Sequence, residues 1–191
     1  MSDRKRTSIA ITGAIGAGKS EALKSFARRG AATISSDEIV HDLLRGDEEV
    51  LEALRARWGD GVLGPDGADR TAVAEIVFAD PDELAWLEGL LHPSVVREYL
   101  AWRERQTADV TVTEIPLLYE TGAEVRFDAV VVITAPPEVR AERARVRPDE
   151  RERRLIPDEE KVKRADFAYV NDGTVEELDA FVADVLARVR S

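Results

Sequence analysis

The chain has 191 residues, of which 44% are hydrophobic, 34% charged and 6% aromatic, the balance of a folded soluble protein and not of a disordered or membrane-embedded chain. Lysine and arginine number 27 against 38 acids, a net charge of −11, which disfavours generic attraction to nucleic acid or anionic membranes, so a small anionic substrate needs a local basic pocket. With no cysteine there is no disulfide, thiolate metal site or thiol nucleophile, which fits a reducing, cytoplasmic setting.

In chain order, Arg4, Lys5 and Arg6 are followed only by the short apolar run Ile9-Ala10-Ile11 before Gly13, so no secretory leader is expected. Strands are predicted at Ser8 to Thr12, Ala32 to Ser35, Val110 to Ile115, Ala129 to Thr134 and Phe167 to Val170. Unbroken apolar runs such as AVVVIT suit strands covered on both faces, as in a parallel sheet. Helices are expected between them, at Ser20 to Arg29 closing on Gly30, Glu38 to Arg45 closing on Gly46, and Thr174 to Arg190 opening with a T-x-x-E capping box.

The stretch from Asp47 to Gln106 is nearly all helical pattern and reads as an insertion between the second and third main strands. Within it Asp80-Pro81-Asp82-Glu83 supplies an N-cap, a first-turn proline and an acid, and Leu84, Leu87, Leu90 and Leu91 share one helix face. Pro93 is expected to end that helix and start another running to Arg105. Arg140 to Arg154 is dense in arginine with few apolar anchors, a helical arm or a solvated helix face.

The sharpest signal is Gly13-Ala14-Ile15-Gly16-Ala17-Gly18-Lys19-Ser20, a full match to G-x-x-x-x-G-K-[ST]. Glycines let backbone N–H groups turn inward around phosphate oxygens, the lysine reaches the β and γ phosphates of a nucleotide such as ATP, and the serine hydroxyl ligates Mg²⁺. The apolar run before the loop and the amphipathic segment after it place the phosphates at a helix N-terminus. Such a loop indicates nucleotide binding and not a particular reaction. The absence of N-K-x-D argues against a common guanine-nucleotide switch. A helical insertion and an arginine-rich arm are what a small-molecule kinase needs to hold an acceptor and to cover the transferring group.

Several segments, in order, resemble the dephospho-CoA kinase family: TGAIGAGKS, SSDEIVHDLL, GPDGADRTAVAEIVFADPDELAWLEGLLHP, EIPLLYETG, VVVITAPPEVRAERARVR and KRADFAYVNDG. The middle block discriminates best, because many kinases share the first motif. The resemblance implies an α/β, three-layer P-loop kinase fold with a five-stranded parallel sheet, a helical CoA-binding insertion and a lid. Residues 1–46 and 107–191 would form the nucleotide-binding core, with a lid at about 140–160, and 47–106 the acceptor domain. The reaction implied is transfer of the γ-phosphoryl of ATP to the ribose 3′-hydroxyl of dephospho-CoA, with Mg²⁺ required.

By the same resemblance Asp37 matches the family's general base, with a helix cap as its plainer alternative, and Arg143 and Arg147 match lid arginines. Glu114, at the end of the third main strand, suits a metal-orienting acid beside Ser20. Arg70, His92 and Pro93 fall at acceptor-side positions, although a helix junction before Pro93 also accounts for His92. Asn171 and Gly173 match the adenine-side loop; His41 reads as structural. The chain departs from the family at Glu21, where threonine is usual after the loop serine, at Ser35 and Val170, where aspartate is usual, and in a lid segment shorter by about two helical turns. Two alternatives stay open: another small-molecule kinase on the same core, such as a nucleoside monophosphate or shikimate-type kinase, and a nucleotide-binding module whose short lid prevents turnover.

Overall fold

The structure, a computed structural model, describes residues 6–143 and 156–191. In chain order it runs β1 (Thr7–Thr12), α1 (Lys19–Arg28), β2 (Ala32–Ser35), α2 (Ser36–Gly46), α3 (Glu48–Trp58), β3 (Leu63–Gly64), β4 (Gly67–Ala68) and α4 (Arg70–Ala79). It continues with α5 (Pro81–Arg105), β5 (Val110–Glu114), β6 (Ala129–Thr134), α6 (Pro137–Arg143), α7 (Asp158–Arg164), β7 (Phe167–Val170) and α8 (Val175–Val189). Two compact units result: residues 1–35 with 106–191, and residues 36–105.

The first unit is a five-stranded sheet in the order β2-β5-β1-β6-β7, with every neighbouring pair parallel. All five expected strands are present, and their ends lie within a residue of those expected. Every residue of β5 and β6 is buried, as unbroken apolar runs require in a sheet covered on both sides. On one face Ile9, Ile11, Val110, Val112, Val131 and Ile133 pack with Ala22 and Phe26 of α1 and Leu178, Val182, Val185 and Leu186 of α8. The opposite face, through Ala10, Val130 and Val132, packs on Leu118 and Tyr119.

Helix α8 begins as its sequence directs. The Thr174 hydroxyl accepts from the Glu177 amide while the Glu177 carboxylate accepts from the Thr174 amide, closing a capping box. Gly173 stands just before it, and a Cβ there would lie 1.8 Å from Glu177 Oε2, so a side chain at 173 would push the capping carboxylate aside.

The second unit is helical, but it also carries the β3–β4 hairpin, which periodicity did not indicate. Pro65 presets one backbone angle of that turn, and Gly67 (φ +108°) approaches the end of α2 so closely that a Cβ would fall 2.4 Å from the Arg45 carbonyl oxygen.

The expected break at Pro93 does not occur: α5 is one 25-residue helix with Pro93 inside it. A proline removes the hydrogen bond to the carbonyl four residues earlier and crowds that residue. Here the residue is Gly89, which has no side chain and is exposed, so water can take the freed carbonyl. The helix is further held by Leu87, Leu91, Ser94 and Tyr99, all buried. His92 therefore sits on the exposed surface of a continuous helix and not at a junction.

Helix α2 starts at Ser36, two residues earlier than expected, so Asp37 lies within its first turn and not before its first residue. Among the described residues, no helix is long and apolar enough to cross a membrane.

Candidate active site

The phosphate-loop residues follow β1 and lead into α1, which begins at Lys19 with Gly18 in the left-handed region. Three glycines shape the turn at positive φ, Gly13 (142°), Gly16 (76°) and Gly18 (97°), angles that side-chain-bearing residues adopt only under strain. Close approach reinforces each choice. A Cβ on Gly13 would lie 1.9 Å from the Ile133 carbonyl oxygen, one on Gly16 2.8 Å from that of Arg140, and one on Gly18 2.1 Å from Asn171 Nδ2. The Ala17 amide donates to the Ala14 carbonyl at 3.2 Å, closing a tight loop with Ile15 exposed at its tip.

Lys19 is buried, with 8% of its surface exposed. Its ammonium donates to the Ala14 carbonyl at 3.0 Å and stands 3.9 Å from Glu114 Oε1. Glu114 is buried at the carboxyl end of β5, where its backbone registers with Ile11 of β1 and Ser35 of β2. Ligands of open α/β sheets collect outside those strand ends. The sheet order thus brings together a lysine and a glutamate far apart in sequence.

Ser20 is exposed on the first turn of α1. Its neighbour Glu21 is engaged along the helix, accepting from Arg28 at 3.2 Å and Lys24 at 3.5 Å. Asn171, buried beyond β7, donates its side-chain amide to the Ala17 carbonyl at 2.8 Å and its backbone N–H to the Thr134 carbonyl at 2.7 Å. Arg143, at the end of α6, donates from Nη1 to the Asn171 carbonyl at 2.9 Å. Arg147 and the middle of the expected lid lie outside the described residues.

In the helical unit, Asp37 and His41 are four residues apart on α2, one turn along the same face. Arg70 Nη1 lies 3.3 Å from His41 Nδ1, so a histidine read as structural becomes the neighbour of a candidate substrate arginine. Only a helical i,i+4 count from Asp37 could have singled it out beforehand. His92 and Pro93 are exposed on α5. Among the described residues no cluster of three or more His, Cys, Asp or Glu is placed to hold a metal; oxygen donors at the loop include the Ser20 hydroxyl and, beside Lys19, the Glu114 carboxylate.

Residues 7–177 match a family model described as dephospho-CoA kinase. A dephospho-CoA kinase of Ruegeria pomeroyi is 34% identical over 190 residues, covering 96% of this chain and 95% of its own. The crystal structure of TT1252 from Thermus thermophilus superposes with a TM-score of 0.81 at 34% identity, covering 96% of this chain and 97% of that one. A dephospho-CoA kinase from Campylobacter jejuni gives 0.70 at 26% identity, with 95% and 96% covered. With a P-loop built as its spacing demands and likeness running the length of both units, the chain belongs to the dephospho-CoA kinase family.

Proposed function

We propose that the protein is an ATP-dependent dephospho-CoA kinase, transferring the γ-phosphoryl group of ATP to the ribose 3′-hydroxyl of dephospho-CoA. The observation that carries this reading is the continuous family match from residue 7 to 177, which spans the helical unit as well as the nucleotide loop. A phosphate loop by itself is common to many activities, whereas acceptor choice must reside in the residues that hold the acceptor.

In this reading residues 13–20 cradle the triphosphate, and Lys19 brings a positive charge to the β and γ phosphates. The built loop fits that ligand: its glycine turns leave no side chain in the cradle, and Lys19 already spans the loop. Hard oxygen donors such as the Ser20 hydroxyl and Glu114 carboxylate, completed by phosphate oxygens, suit Mg²⁺. When bound, Mg²⁺ neutralises charge on the phosphates and helps align them for in-line transfer.

Asp37 accepts the proton of the attacking 3′-hydroxyl as its oxygen bonds to phosphorus and ADP departs, and general-base assistance of this kind contributes about 10²- to 10⁴-fold. Arg143 and Arg147 face the charge that develops on the transferred group. Arg70, His92 and Pro93 contact the acceptor, and Asn171 and Gly173 lie on the nucleotide side, with Glu21 beside the loop. Residues 47–106 serve as acceptor domain, 1–46 with 107–191 as nucleotide core, and about 140–160 as lid. Cytoplasmic residence belongs to the same reading, in keeping with a cysteine-free chain.

The test is ADP release in the presence of Mg²⁺ and ATP with dephospho-CoA, shikimate or a nucleoside monophosphate as acceptor. Release stimulated by dephospho-CoA alone is the expected result. Preference for another acceptor, or ATP binding without stimulated release, would overturn the assignment.

A further inference from the structure

The geometry points to Asn171 as a positioning residue for the phosphate loop, one that orients the Ala17–Gly18 peptide; we propose that this, and not contact with the adenine base, is the work of its side chain. The proposal rests on the reading of residues 13–20 as a triphosphate cradle.

Asn171 is held on three sides. Its backbone N–H is tied to the end of β6 through the Thr134 carbonyl, its carbonyl carries the Arg143 guanidinium, and its side-chain Nδ2 donates to the Ala17 carbonyl. With only 6% of its surface exposed, the amide is a buried donor whose bond to the loop is costly to lose. The carbonyl and the N–H of a trans peptide point in opposite directions. Holding the Ala17 carbonyl on Asn171 therefore turns the Gly18 N–H to the far side, which is where a phosphate oxygen must be received.

Glycine at residue 18 has a second reason that the phosphate motif does not contain. A Cβ would lie 2.1 Å from Asn171 Nδ2, so the brace in this position needs glycine at 18, in addition to the demand of its positive φ. The same asparagine supports Arg143 through its carbonyl, so one residue carries both the loop and an arginine assigned to the transferring group.

A ligand without a base separates the two roles. Binding of inorganic tripolyphosphate and of ATP is measured by calorimetry for the wild-type chain, Asn171→Ala and Asn171→Asp, with circular dichroism to establish folding. Both ligands are expected to weaken in parallel by about 10-fold in Asn171→Ala, the scale of one lost buried hydrogen bond. Asn171→Asp should be at least as weak, because a carboxylate oxygen would face the Ala17 carbonyl. Unchanged tripolyphosphate affinity with weakened ATP would overturn the proposal.

Should the variants fail to fold, the wild-type chain still decides by NMR. The Asn171 side-chain amide resonance should shift on addition of tripolyphosphate and not of adenosine, and the reverse pattern would overturn the proposal. A wild-type chain that binds no tripolyphosphate would overturn the cradle reading itself, a different result from tight binding that the variants leave untouched.

Discussion

Lys19 and Glu114 face each other across the carboxyl end of the sheet, 3.9 Å apart, with side chains 9% and 10% exposed. The pair holds the lysine over its own loop while the carboxylate stays partly neutralised. Removing the cation takes a nearby positive charge away from a buried acid, which costs stability as well as function. Lys19→Ala should lower kcat by about 10³-fold, the upper scale for one lost electrostatic contact, and weaken ATP binding. Glu114→Gln, which keeps the shape and removes the charge, should slow turnover and raise the Mg²⁺ concentration needed for half-maximal rate. Steady-state assays across an Mg²⁺ titration check both.

Asp37 lies in the first turn of α2 and is exposed, so its replacement spares the core. Asp37→Asn should reduce kcat by about 10²- to 10⁴-fold while the dissociation constant for ATP stays near the wild-type value. Undiminished turnover in this variant would remove Asp37 from the mechanism.

Asp179 on α8 accepts from the Ser25 hydroxyl and from Arg28 at 2.8 Å, with Arg29 at 3.5 Å. The Ser25 hydrogen bond, then the Arg28 guanidinium, holds its carboxyl below the usual aspartate range. A group with a depressed folded-state pKa stabilises the fold above its unfolded pKa, near 3.9, and that contribution disappears as pH falls through the folded value. Asp179→Asn should therefore melt at a lower temperature than wild type at pH 7, and the gap should close as pH drops below about 4. Thermal melts at a series of pH values between these limits provide the comparison.

Lys161 is fully buried, and its Nζ makes an ion contact with Glu120 Oε1 at 2.9 Å. The same Glu120 oxygen accepts from the Ile156 amide at 2.8 Å. Lys161→Ala leaves the carboxylate of Glu120, 12% exposed, without this cation and should destabilise the protein by about 3 kcal/mol. Combining Lys161→Met with Glu120→Gln should recover much of this loss, since no charge remains buried and the glutamine can still accept from Ile156. Urea unfolding of the three proteins measures the difference.

What could be read from residue order was what a few successive residues decide among themselves. The G-x-x-x-x-G-K-S spacing, the buried run of β6 and the Thr174–Glu177 cap are such features, and each depends on backbone angles or side-chain periodicity within about one turn of chain. The second helix and α5 show where this stops. Propensity could not tell that Ser36 would join α2, or that an exposed glycine four residues before Pro93 would let α5 continue.

The strand order β2-β5-β1-β6-β7 was equally hidden, because parallel strands buried on both faces carry the same apolar signature and nothing in it names a neighbour. That order alone decides that Glu114 meets Lys19. It also brings Asn171, 154 residues from Ala17, to the phosphate loop, and packing of α1 against α8 sets Ser25 beside Asp179. The residues proposed for the chemistry were therefore picked out from the chain itself, while their partners were chosen by tertiary packing, since hydrogen bonds and ion pairs act over a few ångströms and only the fold determines which distant groups come that close.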